Sequence, residues 1–171
     1  ANGALVFDGQ FALGTKKADG TMNAIPIGDE SYSITAWIKT LQPNNRGIIG
    51  WGNYGTNLQV TAIKLNFASE VWHYWWNADM GANAGYGLAD DNWHLVSETY
   101  DRQTSHRAVY IDGILINQNT PPDHQVESSV NFLIGKTGWP HEMIEFFDGA
   151  IDDVKVYNYA LTPVDVAKTY T

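Results

Sequence analysis

Tyr32-Ser33-Ile34-Thr35-Ala36-Trp37-Ile38-Lys39 sets Tyr32, Ile34, Ala36 and Ile38 against Ser33, Thr35, Trp37 and Lys39 in strict alternation. Successive side chains leave a strand on opposite faces, so this run reads as a β-strand with one buried side. Similar short runs occupy residues 4–8, 47–51, 58–65, 71–76, 94–100, 107–111, 114–117, 130–134 and 150–157. Asp112-Gly113 separates two of them, and this dipeptide suits a type I′ turn, in which both central residues need positive φ. Residues 107–117 therefore read as a hairpin. Residues 118–129 and 14–30 read as long loops. Helix is expected only at the end, over residues 162–168, where Thr162 caps, Pro163 fills the first position and Asp165 stands three residues after the cap. Many short strands without alternating helices predict an all-β, two-sheet antiparallel sandwich.

The chain has 171 residues. That is one domain's worth, able to bury roughly 70% of its unfolded surface, and with no linker or repeat it is read as a single domain over residues 1–171. Ten Lys and Arg against 19 Asp and Glu leave a formal charge of −9. Such a surface repels phosphate backbones, which excludes nucleic acid as a partner. There is no cysteine, hence no disulfide framework and no thiol chemistry. No run approaches the ~18 apolar residues of a membrane span, and the first residues lack the signal-peptide pattern. The chain is thus read as a soluble segment excised from something longer. Aromatics at 13% and charged residues at only 17% describe short strands, many turns and spare aromatic surface.

Three ordered segments carry a resemblance: Ala4-Leu5-Val6-Phe7-Asp8-Gly9; Asp91-Asn92-Trp93-His94-Leu95-Val96 through Thr99-Tyr100-Asp101 to Val109-Tyr110-Ile111-Asp112-Gly113; and Phe147-Asp148-Gly149-Ala150-Ile151-Asp152-Asp153-Val154-Lys155-Val156-Tyr157-Asn158, followed by Ala160-Leu161-Thr162. In sequence, order and spacing they are similar to the laminin-G-like family of concanavalin-A-like jelly-roll domains. That resemblance spans nearly the whole chain and implies the jelly-roll sandwich with a short C-terminal helix. It says less about function, because the family serves adhesins, surface proteins and carbohydrate-active enzymes alike. One departure stands out. The family's first strand commonly continues from Phe-Asp-Gly to an Asp and a Tyr, whereas here Phe11-Ala12-Leu13-Gly14 follows Gln10 without an acid.

The densest chemistry is aromatic. Trp51, Asn53, Tyr54 and Asn57 lie close together, followed by Val71-Trp72-His73-Tyr74-Trp75-Trp76-Asn77. On a strand Trp72, Tyr74 and Trp76 share one face, and Val71, His73 and Trp75 the other. Flat rings stack on the C–H faces of sugars while amides and acids exchange hydrogen bonds with hydroxyls, which marks these residues as a candidate glycan site. The competing reading is that the rings fill a broad core. Trp139 and His141, in an apparent loop with Pro140, are further ligand candidates.

A regular closing strand would aim Asp152 and Asp153 at opposite faces, leaving one carboxylate inward and in need of a partner. Related jelly rolls carry a structural calcium near their joined terminal strands. The resemblance thus implies a calcium held by Asp8, Asp29, Asp152 and the carbonyl of Gly28; a hydrogen bond from amides, Lys or Arg to Asp152 serves equally well. Glucanases of this architecture place catalytic acids along one strand, but here Glu142, Glu145 and Asp148 are spaced by three, so neighbours alternate faces. The outer two would stand ~20 Å apart along a strand, against the ~5–9.5 Å that glycosidic carboxylates need. The five histidines show no metal spacing, and no nucleophile or phosphate-loop motif is present.

The sequence therefore predicts a non-catalytic, lectin-like carbohydrate-binding module of a larger secreted or cell-surface protein, with a structural calcium and a role in adhesion or targeting. The alternatives are a structural or protein-interaction domain contacting neighbouring domains of its parent chain, and a glycan-active hydrolase or lyase.

Overall fold

The computed structural model describes residues 3–14, 25–42, 44–66, 70–126, 131–138 and 144–171. Among them run the strands β1 (Leu5–Asp8), β2 (Leu13–Gly14), β3 (Tyr32–Lys39), β4 (Arg46–Gly52), β5 (Val60–Asn66), β6 (Glu70–Tyr74), β7 (Met80–Asn83), β8 (His94–Asp101), β9 (His106–Ile111), β10 (Ile114–Asn119), β11 (Leu133–Ile134) and β12 (Asp148–Tyr157), then the helix α1 (Pro163–Tyr170). The strands form two six-stranded sheets ordered β1-β12-β3-β8-β9-β10 and β2-β11-β4-β5-β6-β7, with every ladder antiparallel.

The alternation of residues 32–39 decides which side of the first sheet is core. Tyr32, Ile34, Ala36 and Ile38 are buried in one cluster with Ile49, Trp51, Ile63, Leu65 and Val71 of the second sheet. Burying a branched aliphatic side chain contributes about 1.5–3 kcal/mol, so a one-residue slip of β3, which would reverse every residue, is strongly disfavoured. Outside the first sheet, α1 begins with the reciprocal cap. Asp165 N donates to Thr162 Oγ1 at 3.2 Å and Thr162 N to Asp165 Oδ2 at 3.3 Å. Its Val166 is buried with Ala108, Tyr110 and Leu161, and Tyr170 stacks on Trp37 at 5.6 Å between centroids.

Four elements differ from the sequence reading. β2 and β7 were not expected: the first is two residues long, and Met80-Gly81-Ala82-Asn83 looks turn-like although Met80 and Ala82 are buried. β6 stops at Tyr74 because Trp76 and Asn77 take φ of 47° and 68°. The closing strand is not regular either. A bulge lies between Asp152 and Lys155 in the pairing of β12 with β3, and Asp153 sits at φ 47°. The extra residue lets both acids stay out of the core: Asp152 is half-buried, Asp153 exposed, and the expected inward carboxylate does not exist.

The core is not wholly apolar. Tyr32 Oη receives Trp75 Nε1–H at 2.8 Å and the Thr61 hydroxyl at 3.2 Å, and lies 2.6 Å from His73 Nε2. His124 stacks on Trp75 at 3.7 Å, and its Nε2 lies 3.0 Å from the Val60 carbonyl. A carbonyl only accepts, so that nitrogen carries the proton. His73 Nδ1 faces Glu98 Oε2 at 3.4 Å, both side chains wholly buried and without the alignment of a hydrogen bond. Burial raises the Glu98 pKa well above its ordinary 4.5, with only partial opposition from the Arg107 guanidinium. Burial, then Arg107 and His124, lower that of His73. Both shifts favour the neutral forms.

A second polar lock ties β8 to the β9–β10 turn. Leu95 N donates to Asp112 Oδ1 at 2.9 Å, and His94 sits between Asp112 Oδ2 at 2.8 Å and Asp90 Oδ1 at 3.1 Å. Burial of the ring opposes its charge, but hydrogen bonds to the two carboxylates outweigh it and raise the His94 pKa.

These shifts have opposite signatures under substitution. Because folding raises the Glu98 pKa, the stability linked to its proton is complete below pH 4.5 and is lost as pH rises toward the folded value. Glu98→Gln, permanently neutral, is expected to raise the melting temperature near neutral pH, with a gain of about 1–3 kcal/mol, and to make little difference below pH 4.5. A gain independent of pH in thermal melts would show that Glu98 is not a neutral acid. For His94 the raised pKa gives stability present below 6.5 and lost as pH climbs through the folded value. His94→Gln should consequently destabilise more at about pH 6 than at about pH 9.

Candidate functional site

β6 divides its aromatic run as alternation requires. His73 and Val71 enter the main core, and Trp75 follows them just past the strand end. Trp72, Tyr74 and Trp76 instead join Tyr54, Val60 and Ala62 in a separate cluster on the outer face of the second sheet. Tyr54 and Tyr74 stack at 6.3 Å, and Trp76 meets Tyr74 edge-on at 6.0 Å. Trp72 and Trp76 remain half-buried, whereas Tyr54 is almost fully enclosed.

Polar groups are set among these rings. Lys64, on the same side of β5 as Val60 and Ala62, places Nζ 4.5 Å from the Tyr74 ring centroid and 5.4 Å from that of Trp72. The ammonium donates to Glu145 Oε1 and to Asn45 Oδ1, each at 3.2 Å. Glu145 Oε2 accepts the Thr137 hydroxyl at 2.6 Å, and Trp72 Nε1–H donates to Glu70 Oε2 at 2.6 Å. Burial, then the Asp79 and Glu145 charges, raise the Tyr74 phenol far above its ordinary range, so it stays a neutral donor.

Glycines let the covering chain come this close. Gly47 N donates to Glu145 O at 2.8 Å, and a Cβ at Gly47 would lie 2.0 Å from Thr137 N. A Cβ at Gly50 would lie 2.4 Å from Tyr54 Oη. Both contacts require a residue without a side chain.

Of the residues expected to contact ligand, Trp72, Tyr74, Trp76 and Tyr54 are brought together. Trp51 is not among them. It lies on the inner side of β4, wholly buried, with Nε1–H donating to the Pro26 carbonyl at 2.9 Å. Asn53 braces its own turn through Thr56 Oγ1 and Gln59 Oε1 at 3.0 and 3.1 Å, and Asn57 is exposed on the same loop. Trp139 and His141 lie outside the described residues. Lys64, Asn45, Thr137 and Glu70 were not singled out from the sequence, and Glu145 was weighed only as a catalytic acid. The parity of Lys64 with Ala62 was a usable signal, whereas Glu145 arrives from a loop and has none.

The residues advanced for calcium do not form a set. Asp8 is exposed and accepts Gln10 N at 3.0 Å. Asp29 accepts the Tyr100 hydroxyl at 2.6 Å and pairs with Arg102 at 3.3 Å. Asp152 accepts Asp153 N at 2.8 Å, and Gly28 bridges to Val126. Among the described residues no three His, Cys, Asp or Glu are grouped so as to hold a metal ion, so Asp8, Asp29 and Asp152 with the Gly28 carbonyl do not fit calcium. A polar recess of about 500 Å³ beside Asp29 is lined by Glu30, Gln59, Arg102 and Gln125. It offers no ring for stacking.

Residues 13–167 match the family model for the concanavalin A-like lectin/glucanases superfamily, and the chain belongs to that family. Its fold is similar to the SAP-like pentraxin of Limulus polyphemus (TM-score 0.71, 17% identity, 88% of this chain and 73% of that one). It is also similar to the CBM40 of the Ruminococcus gnavus IT-sialidase (0.69, 16%, 84% and 84%), which has been seen bound to α2,3-sialyllactose. A third similar structure is domain 4 of the extracellular arabinanase AbnA of Geobacillus stearothermophilus, in complex with arabinotriose (0.68, 20%, 98% and 76%). At these identities the likeness establishes the jelly-roll sandwich. A search of curated proteins by sequence finds no match.

The Lys64–Glu145 pair supplies a direct check, since both side chains are nearly enclosed, at 7% and 12% exposure. Removing one partner leaves a buried charge, so Lys64→Met is expected to destabilise by about 3 kcal/mol. Adding Glu145→Leu should recover most of that loss. Denaturant titration measures both, and equal stability of the single and double variants would mean that the charges are already hydrated.

Proposed function

We propose that this domain is a non-catalytic carbohydrate-binding module, a lectin-like part of a larger secreted or surface protein, and that the outer face around Trp72 and Trp76 holds the glycan. One observation carries the reading: inward anchoring of His73 and Trp75 leaves Trp72, Tyr74 and Trp76 together on the outer face, where two indoles keep accessible flanks beside carboxylate, ammonium and hydroxyl groups. Rings provide apolar stacking and the polar groups meet hydroxyls, the combination a sugar requires. The two bacterial modules described above, seen with sialyllactose and arabinotriose, support the same class of ligand. A rigid sheet suits the task, because little ordering is left for the moment of binding. Repetition of such modules would raise weak affinity by avidity.

Catalysis has less support. Both Glu145 oxygens are occupied by Lys64 and Thr137, and one Glu70 oxygen by Trp72. A protein-interaction role draws on a different surface, where Ile114, Val164 and Tyr170 stand exposed around α1.

Binding to a glycan array tests the proposal. Trp72→Ala and Trp76→Ala are each expected to weaken a hit about tenfold, the effect of roughly 1.4 kcal/mol of lost stacking, in protein that still melts cooperatively above the assay temperature. Unchanged affinity in both would remove the face from consideration. Shortened products released from any hit would establish an enzyme instead.

A further inference from the structure

We infer that this face selects uncharged glycans and discriminates against acidic ones, an inference that rests on the binding face proposed above. Recognition of a sugar carboxylate requires a cationic donor with a free N–H, since charge-assisted bonds are the strong ones. Among the described residues the cation that reaches the outer rings is Lys64. An ammonium has three N–H groups. Two are taken by Glu145 and Asn45, and the ammonium also lies over the Tyr74 ring at 4.5 Å. With two of its three N–H groups committed and only 7% of its side chain exposed, Lys64 has little left to offer a ligand carboxylate. Lys136, the cation on the covering loop, is buried over the Phe146 ring at 4.7 Å.

The remaining charges repel an acid. Glu70 is bound to the indole N–H of Trp72 itself, Glu145 lies behind Lys64, and Asp79 is near enough to raise the Tyr74 phenol. Among the described residues the Lys64–Glu145 pair cancels itself, and Glu70 and Asp79 give the face the sign of the whole chain, whose formal charge is −9. The same carboxylates accept hydrogen bonds from neutral hydroxyls, so what excludes an acidic sugar serves an uncharged one. A like charge brought against such a face costs affinity without any steric conflict.

Calorimetric titration of arabinotriose, lactose and cellotriose, set against sialyllactose and an oligogalacturonide, tests this. The neutral sugars are expected to bind at least about tenfold more tightly than the acidic ones, with affinities that hardly change between low and high salt. Glu145→Gln keeps the shape of the site and leaves the Lys64 charge unbalanced. It should narrow the gap and make acidic binding salt-sensitive, and Glu70→Gln should narrow it further. Acidic glycans bound as tightly as neutral ones, or a ratio unmoved by both substitutions, would overturn the selectivity while leaving the binding face intact. Failure of every glycan to bind would overturn the face and the selectivity together.

Discussion

The two sheets meet at one hydroxyl group. Tyr32, on β3 of the first sheet, gathers Thr61 from β5, His73 from β6 and Trp75 from just beyond it, all on the second. Apolar packing would tolerate small slides between the layers, but hydrogen bonds are directional and a buried donor left unpaired costs about 1–3 kcal/mol. The indole of Trp75 has no freedom to turn away, being stacked between His124 and the guanidinium of Arg107. Register in β6 is therefore set from inside the molecule.

That internal constraint creates the outer surface. With His73 and Trp75 held inward, the residues between and around them must face out, although three large rings in water are unfavourable. The protein covers part of them with the segment that carries Thr137 and Glu145, laid on β4 through Gly47. What stays open is a pair of half-buried indoles beside a self-neutralised ion pair. The resulting surface is aromatic in an acidic setting, and it differs in kind from the exposed aliphatic residues near α1.

Much of this was legible in the residues, and the parts that were not share a cause. Alternation in residues 32–39 and 71–76 and the Asp112-Gly113 turn describe local geometry, so they survive without knowledge of neighbours. The division of Trp72 and Tyr74 from His73 followed from the same period. Trp51 was misplaced because its neighbours Asn53 and Tyr54 look like a site, while the partner that draws it inward, the Pro26 carbonyl, is 25 residues away. The inward acid on β12 failed because a bulge at Asp153 is an insertion that periodicity does not register. Glu145 was weighed as a catalytic acid on a strand, whereas it lies in a loop at φ 58°, a position for which no pattern exists.

Tyr54 brings its hydroxyl against Gly50, within reach of a Cβ that is not there. Adding a single methyl group would lift the ring and with it the stack it shares with Tyr74, so the floor of the site is closed to gradual change. Rings, acids and the overlying loop carry no such restriction. Change at this face would then start with the side chains that cover it and leave the sheet beneath them as it is.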